Sequence, residues 1–131
     1  MKSNTNVTLP VRIGDINYGN HLGHVEMVGL LHEARIQWLA SWGWSERQCE
    51  GIAMVVRSLH IRYIAECFYG DVLSFDMTAT RISACRFRIR YHVTRDQQAV
   101  AEAEVEMVCI HPDTRKIVRI PDPMSHWMAC E

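Results

Sequence analysis

The chain has 131 residues, 48% of them hydrophobic, which is enough for one core and too little for two ordinary domains. Its 14 basic and 15 acidic side chains leave a formal net charge of −1, so no global field favours nucleic acid or an anionic membrane. Five scattered cysteines without a C-x-x-C pair, and no apolar run of the ~20 residues that span a bilayer, point to reduced thiols in a cytoplasmic, unexported protein.

Val7, Leu9, Val11 and Ile13 alternate with Thr8, Pro10 and Arg12, the period-two pattern of a strand with one buried face. Pro10 lacks an N–H donor and places that strand at an edge. Gly14 to Gly23 is rich in Gly, Asn and Asp and reads as a loop. From His24 to about Trp42 the spacing changes to threes and fours: Met27, Val28, Leu31, Ala34, Trp38, Leu39 and Trp42 fit one helix face, and Gly43 is a suitable stop. Asn20 or Gly23 is the expected cap, with Glu26 in the first turn.

Four further alternating runs follow, Leu59 to Tyr63, Leu73 to Ala79, Cys85 to Val93 and Ala101 to Cys109, and a short helix is expected beyond Pro121. Arg86, Arg88 and Arg90 share one strand face, and Glu102, Glu104 and Glu106 another; a hairpin turning near Asp96 would set them opposite each other. That parity calls for an odd-length loop. One strand, one long helix and four more strands make an α+β layer pair in a single domain over 1–131, and a sheet with one face uncovered predicts a homodimer, or a dimer of dimers.

Chemistry is expected where the first strand gives way to the helix. Asp15 is either a turn residue making local hydrogen bonds or a carboxylate beside helix-mouth amides able to hold an oxyanion. A calcium loop starting at Asp15 fails, because its sixth position is Asn20 rather than Gly and a strand precedes it. His21, His24 and His32 lack H-E-x-x-H spacing, so no metal site is assigned and no cofactor is expected. Cys67 and Cys85 have no visible base to activate them and read as core, as do the four tryptophans. Arg81 and Arg86 are the cations that could grip a phosphate, though a solvated face paired with glutamates is the simpler reading.

The run Asp15-Ile16-Asn17-Tyr18-Gly19-Asn20-His21-Leu22-Gly23-His24, followed by His32-Glu33-Ala34-Arg35, resembles the D-x-D-x-x-G-H-V-N-N and E-E-A-R signature of the 4-hydroxybenzoyl-CoA thioesterase family of hotdog proteins. Tyr63 and Gly70-Asp71 match a weaker family pattern, so the resemblance runs through most of the chain. Asn17, Asn20, Gly23 and His24 depart from it. It implies a five-stranded antiparallel sheet wrapped around one central helix, and hydrolysis of acyl-CoA, or of an acyl-carrier-protein thioester, at a dimer interface. By that resemblance Asp15 is nucleophile or general base, with His21 and Glu33 as further catalytic positions. Asn17, Leu22, Gly23 and His24 fall at the substrate and oxyanion positions. The rival expectations are a non-catalytic acyl-CoA-binding module and a hotdog hydratase or dehydratase; the H-F-P loop that the latter resembles is absent from the sequence.

Overall fold

The computed structural model describes residues 5–130. Strand β1 (Asn6–Pro10) leads through a 3-10 turn at Ile13–Asp15 and a loop into helix α1 (His24–Ser41). Four long strands follow: β2 (Ala53–Tyr63), β3 (Val72–Arg81), β4 (Arg86–Arg95) and β5 (Gln98–Ile110). Helix α2 (Asp122–Trp127) and a two-residue strand β6 (Ala129–Cys130) end the described chain. The sheet runs β1-β3-β4-β5-β2 with every neighbour antiparallel, and β6 adds to β3 in parallel.

Alternation decides which face is buried. Leu73, Phe75, Met77 and Ala79 of β3 point the same way as Phe87, Ile89, Tyr91 and Val93 of β4 and Ala101, Ala103, Val105 and Met107 of β5, and all are buried. Against them α1 lays Met27, Leu30, Leu31, Ala34, Trp38 and Leu39, giving one continuous core. Gly43 ends the helix with φ +83°, a left-handed backbone that glycine adopts without steric cost. At this end Trp38 meets Trp127 edge-on with ring centroids 5.2 Å apart, and Trp42 stacks on Trp127 at 5.1 Å. Aromatic packing there accounts for four tryptophans in one place.

Three local expectations change. The first strand stops at Pro10, and Ile13 sits 73% exposed in the 3-10 turn, because the chain must bend to reach the helix mouth. Strand β2 has no continuous buried face: Val56, Leu59 and Tyr63 are between 41% and 49% exposed, since β2 is an outer strand that α1 only partly covers. The β4–β5 hairpin does set Arg88 opposite Glu106 and Arg90 opposite Glu104, yet its loop is the even pair Asp96–Gln97. A register shift at Val93/Thr94 supplies the odd residue, so a bulge replaces the loop in restoring parity.

Both loop residues have positive φ, Asp96 at 50° and Gln97 at 67°, as a two-residue type I′ turn requires. Side chains other than Gly, Asn and Asp are strained there by roughly 1–2 kcal/mol. Gln97→Gly is therefore expected to raise stability by about 0.5–1 kcal/mol, read as a higher denaturant midpoint at unchanged slope. An unchanged or lower midpoint would mean that the Gln97 side chain contributes more than its backbone strain costs.

Candidate active site

The loop between β1 and α1 is closed by its own hydrogen bonds. Ile16 bridges Leu22, the Asn17 N–H donates to the His21 carbonyl at 2.9 Å, and the Gly19 N–H donates to Asn17 Oδ1 at 2.9 Å. Asn20 takes φ +67°, which an Asn tolerates better than most residues. Two further bonds tie the loop to its surroundings: the Leu22 N–H donates to the Cys67 carbonyl at 2.8 Å, and the Gly23 N–H to the Asp15 carbonyl at 3.1 Å. The loop thus delivers Gly23 as the N-cap of α1, directly beside Asp15.

A cavity of about 260 Å³ opens at this helix mouth, walled by His21, Leu22, Gly23 and His24 from the loop and helix, and by Tyr63 and Glu66 among others from the end of β2 and the segment after it. Tyr63 donates its hydroxyl to the His24 carbonyl at 2.6 Å, pinning the first helical turn to the outer strand. Burial pushes its phenol pKa up, so the hydroxyl remains a donor. His21 Nδ1 lies 3.0 Å from the Leu22 carbonyl; with the proton on Nδ1 that contact is a hydrogen bond and leaves Nε2 as the lone-pair nitrogen.

The backbone amides are unevenly available. Those of Leu22 and Gly23, expected to hold an oxyanion, already donate to Cys67 and Asp15. The amides of His24, Val25 and Glu26 are the first-turn donors for which helix geometry provides no intrahelical acceptor.

Asp15 is buried, 6% exposed, and its carboxylate is held by Arg12: Oδ2 accepts from the Arg12 N–H at 2.8 Å and lies 3.4 Å from Arg12 Nε. It is not among the residues that wall the cavity. Asn17 stands next to Gly23, where a glycine Cβ would meet the Asn17 Cβ at 3.5 Å. Glu33 does not join the site. It lies on the exposed side of α1, where it accepts from Gln37 Nε2 at 2.8 Å, because the inward positions of the helix are 30, 31, 34 and 35. Arg81 and Arg86 are also elsewhere. Val72 pairs with Pro10 near the loop, and Arg81 lies nine residues further along β3, ~30 Å at ~3.3 Å per residue. There Arg86 Nη1 pairs with Glu106 Oε2 at 2.9 Å and Arg81 Nε donates to the Ser83 carbonyl.

Sequence reading missed a second polar cluster further along α1. Arg35, 5% exposed, donates from Nε to Glu46 Oε2 at 2.5 Å and from Nη1 to Tyr91 Oη at 3.1 Å, while His32 Nε2 lies 2.9 Å from Glu46 Oε1. Burial alone would lower the Arg35 pKa, but Tyr91 and Glu46 outweigh it and the net direction is upward. The one signal was Arg35 itself, a charge at a core-facing helix position. Beside this cluster a cavity of about 380 Å³ runs between α1 and β2 past Val28, Leu31, Val56 and Leu59.

Known proteins share this fold. Residues 11–128 match the profile of the thioesterase-like superfamily. Among curated relatives, a 1,4-dihydroxy-2-naphthoyl-CoA hydrolase of Microcystis aeruginosa is 24% identical over 121 residues, covering 90% of this chain and 88% of that protein. One of the same name from Synechococcus elongatus is 24% identical over 124 residues, with 90% of each chain covered. The crystal structure of a 1,4-dihydroxy-2-naphthoyl-CoA thioesterase from Synechocystis superposes with a TM-score of 0.85 at 25% identity, over 95% of this chain and 94% of that one. With the family profile spanning nearly the whole chain and the same sheet-and-helix fold in these relatives, the chain belongs to the thioesterase-like superfamily and is a hotdog-fold thioester hydrolase.

Proposed function

We propose that the protein hydrolyses an acyl-CoA thioester to a free acid and CoA at the mouth of α1, with Asp15 as nucleophile or general base. The observation that carries this reading is the helix-mouth cavity, about 260 Å³ and walled in part by His24, the first residue of α1, beside a first turn whose amides have no intrahelical acceptor. Such donors stabilise the oxyanion that forms as the carbonyl is attacked, and one of them is typically worth ~3–4 kcal/mol. The leaving thiol, with a pKa near ~8.5, departs as a thiolate without a strong acid or a metal. What supports Asp15 is its burial, the donors from Arg12 on its carboxylate, and its main-chain bond to Gly23. For either role its side chain has to turn from Arg12 toward the cavity.

The names of the relatives favour an aromatic acyl group, and the separate cavity between α1 and β2, walled by Val28, Leu31, Val56 and Leu59 among others, supports that choice with apolar space on the same helix. A carrier-protein thioester is the second reading of the substrate. The decisive assay is thiol release from a panel of aroyl-CoA, fatty acyl-CoA and acyl-carrier-protein thioesters. Catalytic release from an aroyl-CoA is expected; binding without release would favour an acyl-CoA-binding module, and addition of water across a carbon–carbon double bond a hydratase.

The working unit is a homodimer formed along β2, with a dimer of dimers as the larger assembly. Support comes from β2 itself, an outer strand exposing Val56, Leu59 and Tyr63, with Ile64 following at 44% exposure. Unpaired strand edges with apolar side chains recruit a second strand, and a two-fold axis makes the contact self-complementary. Leu59→Lys with Val56→Lys is expected to halve the mass measured by sedimentation equilibrium. A wild-type chain that sediments as a monomer would end the dimer proposal. A reducing, cytoplasmic setting suits the thiols of Cys49 and Cys109, which burial pushes up to about 12 and so keeps protonated.

A further inference from the structure

Gly23 raises a question that its backbone does not answer. Its φ of −69° and ψ of 151° are open to any residue, so conformation does not require glycine. A Cβ built at this position would run into Glu26 Oε1 and lie 3.0 Å from its Cδ, so the end of the Glu26 side chain occupies the room that a side chain at 23 would take and would have to swing aside for one.

Glutamate three residues after an N-cap commonly accepts from the cap N–H. Here that N–H is already given to the Asp15 carbonyl at 3.1 Å, and among the described residues the Glu26 carboxylate has no hydrogen-bond or ion-pair partner. It is half-buried and, like Asp15, lies behind the cavity wall rather than in it, against Gly23, which does wall the cavity, and it shares the first turn with the amides that have no intrahelical acceptor. Asp15, by contrast, has its carboxylate engaged by Arg12. An unpartnered carboxylate held beside oxyanion donors has the equipment to take a proton from a water.

We propose that Glu26 is a catalytic residue of this chain: the general base that activates the hydrolytic water, with Gly23 kept small to admit it. This role rests on the thioesterase reading. In this scheme Asp15 is the nucleophile: its carboxylate attacks the acyl carbonyl carbon, the π electrons move to the oxygen facing the first-turn amides, and collapse re-forms the C=O, breaks the C–S bond and expels the CoA thiolate, leaving a mixed anhydride on Asp15. The water oxygen then attacks the acyl carbon of that anhydride while its proton passes to Glu26. Collapse breaks the bond between the acyl carbon and the Asp15 oxygen and frees the acid, and the proton on Glu26 leaves to solvent or to the thiolate.

The test uses the full-length protein and the best-cleaved thioester of the panel. Glu26→Gln is expected to lower kcat about 100-fold, within the range of a positioned base, while KM and Tm hold. Formate should restore part of the activity of Glu26→Ala, which a structural charge at a helix end would not permit. Gly23→Ala, with Glu26 intact but displaced, should reproduce the loss of kcat without the loss of Tm. Near-native kcat in Glu26→Gln would overturn the proposal, and so would a loss matched by a fall in Tm and untouched by formate. A wild-type protein that releases no thiol from any thioester would sink the thioesterase reading instead, and this role with it.

Discussion

Asp15→Asn is expected to leave a folded protein whose kcat on its best acyl-CoA falls by two to four orders of magnitude, roughly what a positioned acid or base contributes. The substitution is chosen for what it preserves. An asparagine Oδ1 can still accept from the Arg12 N–H that Asp15 Oδ2 now occupies, and the main-chain bond from Gly23 is untouched, so the loop retains its shape. Only the charge is lost, and with it the ability to attack a carbonyl or accept a proton. Matched measurements of kcat and Tm read the result. Near-native turnover would make Asp15 a clamp on Arg12 and the 3-10 turn, and would leave the chemistry to Glu26. Collapse of both Asp15→Asn and Glu26→Gln would instead divide attack and proton transfer between two carboxylates.

The largest stability effect is expected at Arg35. Replacing it with alanine leaves the Glu46 carboxylate and the Tyr91 hydroxyl without their shared partner and removes a buried side chain from between α1 and the sheet. Breaking a buried pair by deleting one member typically costs ~3–5 kcal/mol, because the remaining charge stays desolvated. At roughly 3–4 °C per kcal/mol for a chain of this size, Tm should fall by more than ~10 °C. A double-mutant cycle with Glu46→Gln separates the pair from the packing: strong coupling is expected, and strictly additive costs would mean that Arg35 matters only for the space it fills. The outward Arg90–Glu104 pair at 2.8 Å is a contrast, since both side chains are about half exposed and such pairs contribute ~1 kcal/mol or less.

The sequence by itself determined the order of elements and the composition of the core, because these rest on periodicities of two and 3.6 that each segment carries internally. Leu73 to Ala79, Phe87 to Val93 and the α1 face from Met27 to Leu39 are apolar at the right intervals wherever they end up. The loop from Asp15 to Gly23 was legible for the same reason, its turn chemistry being local. Placement across distance was not. The bulge beside the Asp96–Gln97 turn leaves no mark in the alternation, since the same face pattern survives with an odd loop or with an even loop and an extra residue. The exposure of β2 depends on its being last in the sheet, which no property of Leu59 or Tyr63 reveals.

The site divides along the same line. Its backbone frame, a Gly-rich loop feeding a helix, is a local property, but where each carboxylate comes to lie is a tertiary one. Asp15 turns to Arg12, three residues away; Glu33 lies on the exposed side of α1, the core taking positions 30, 31, 34 and 35; and the Glu26 carboxylate lies against Gly23, whose N–H is given to the Asp15 carbonyl. Each of these outcomes is settled by competition for a donor or for a few cubic ångströms, and such competition is decided only when the chain is folded.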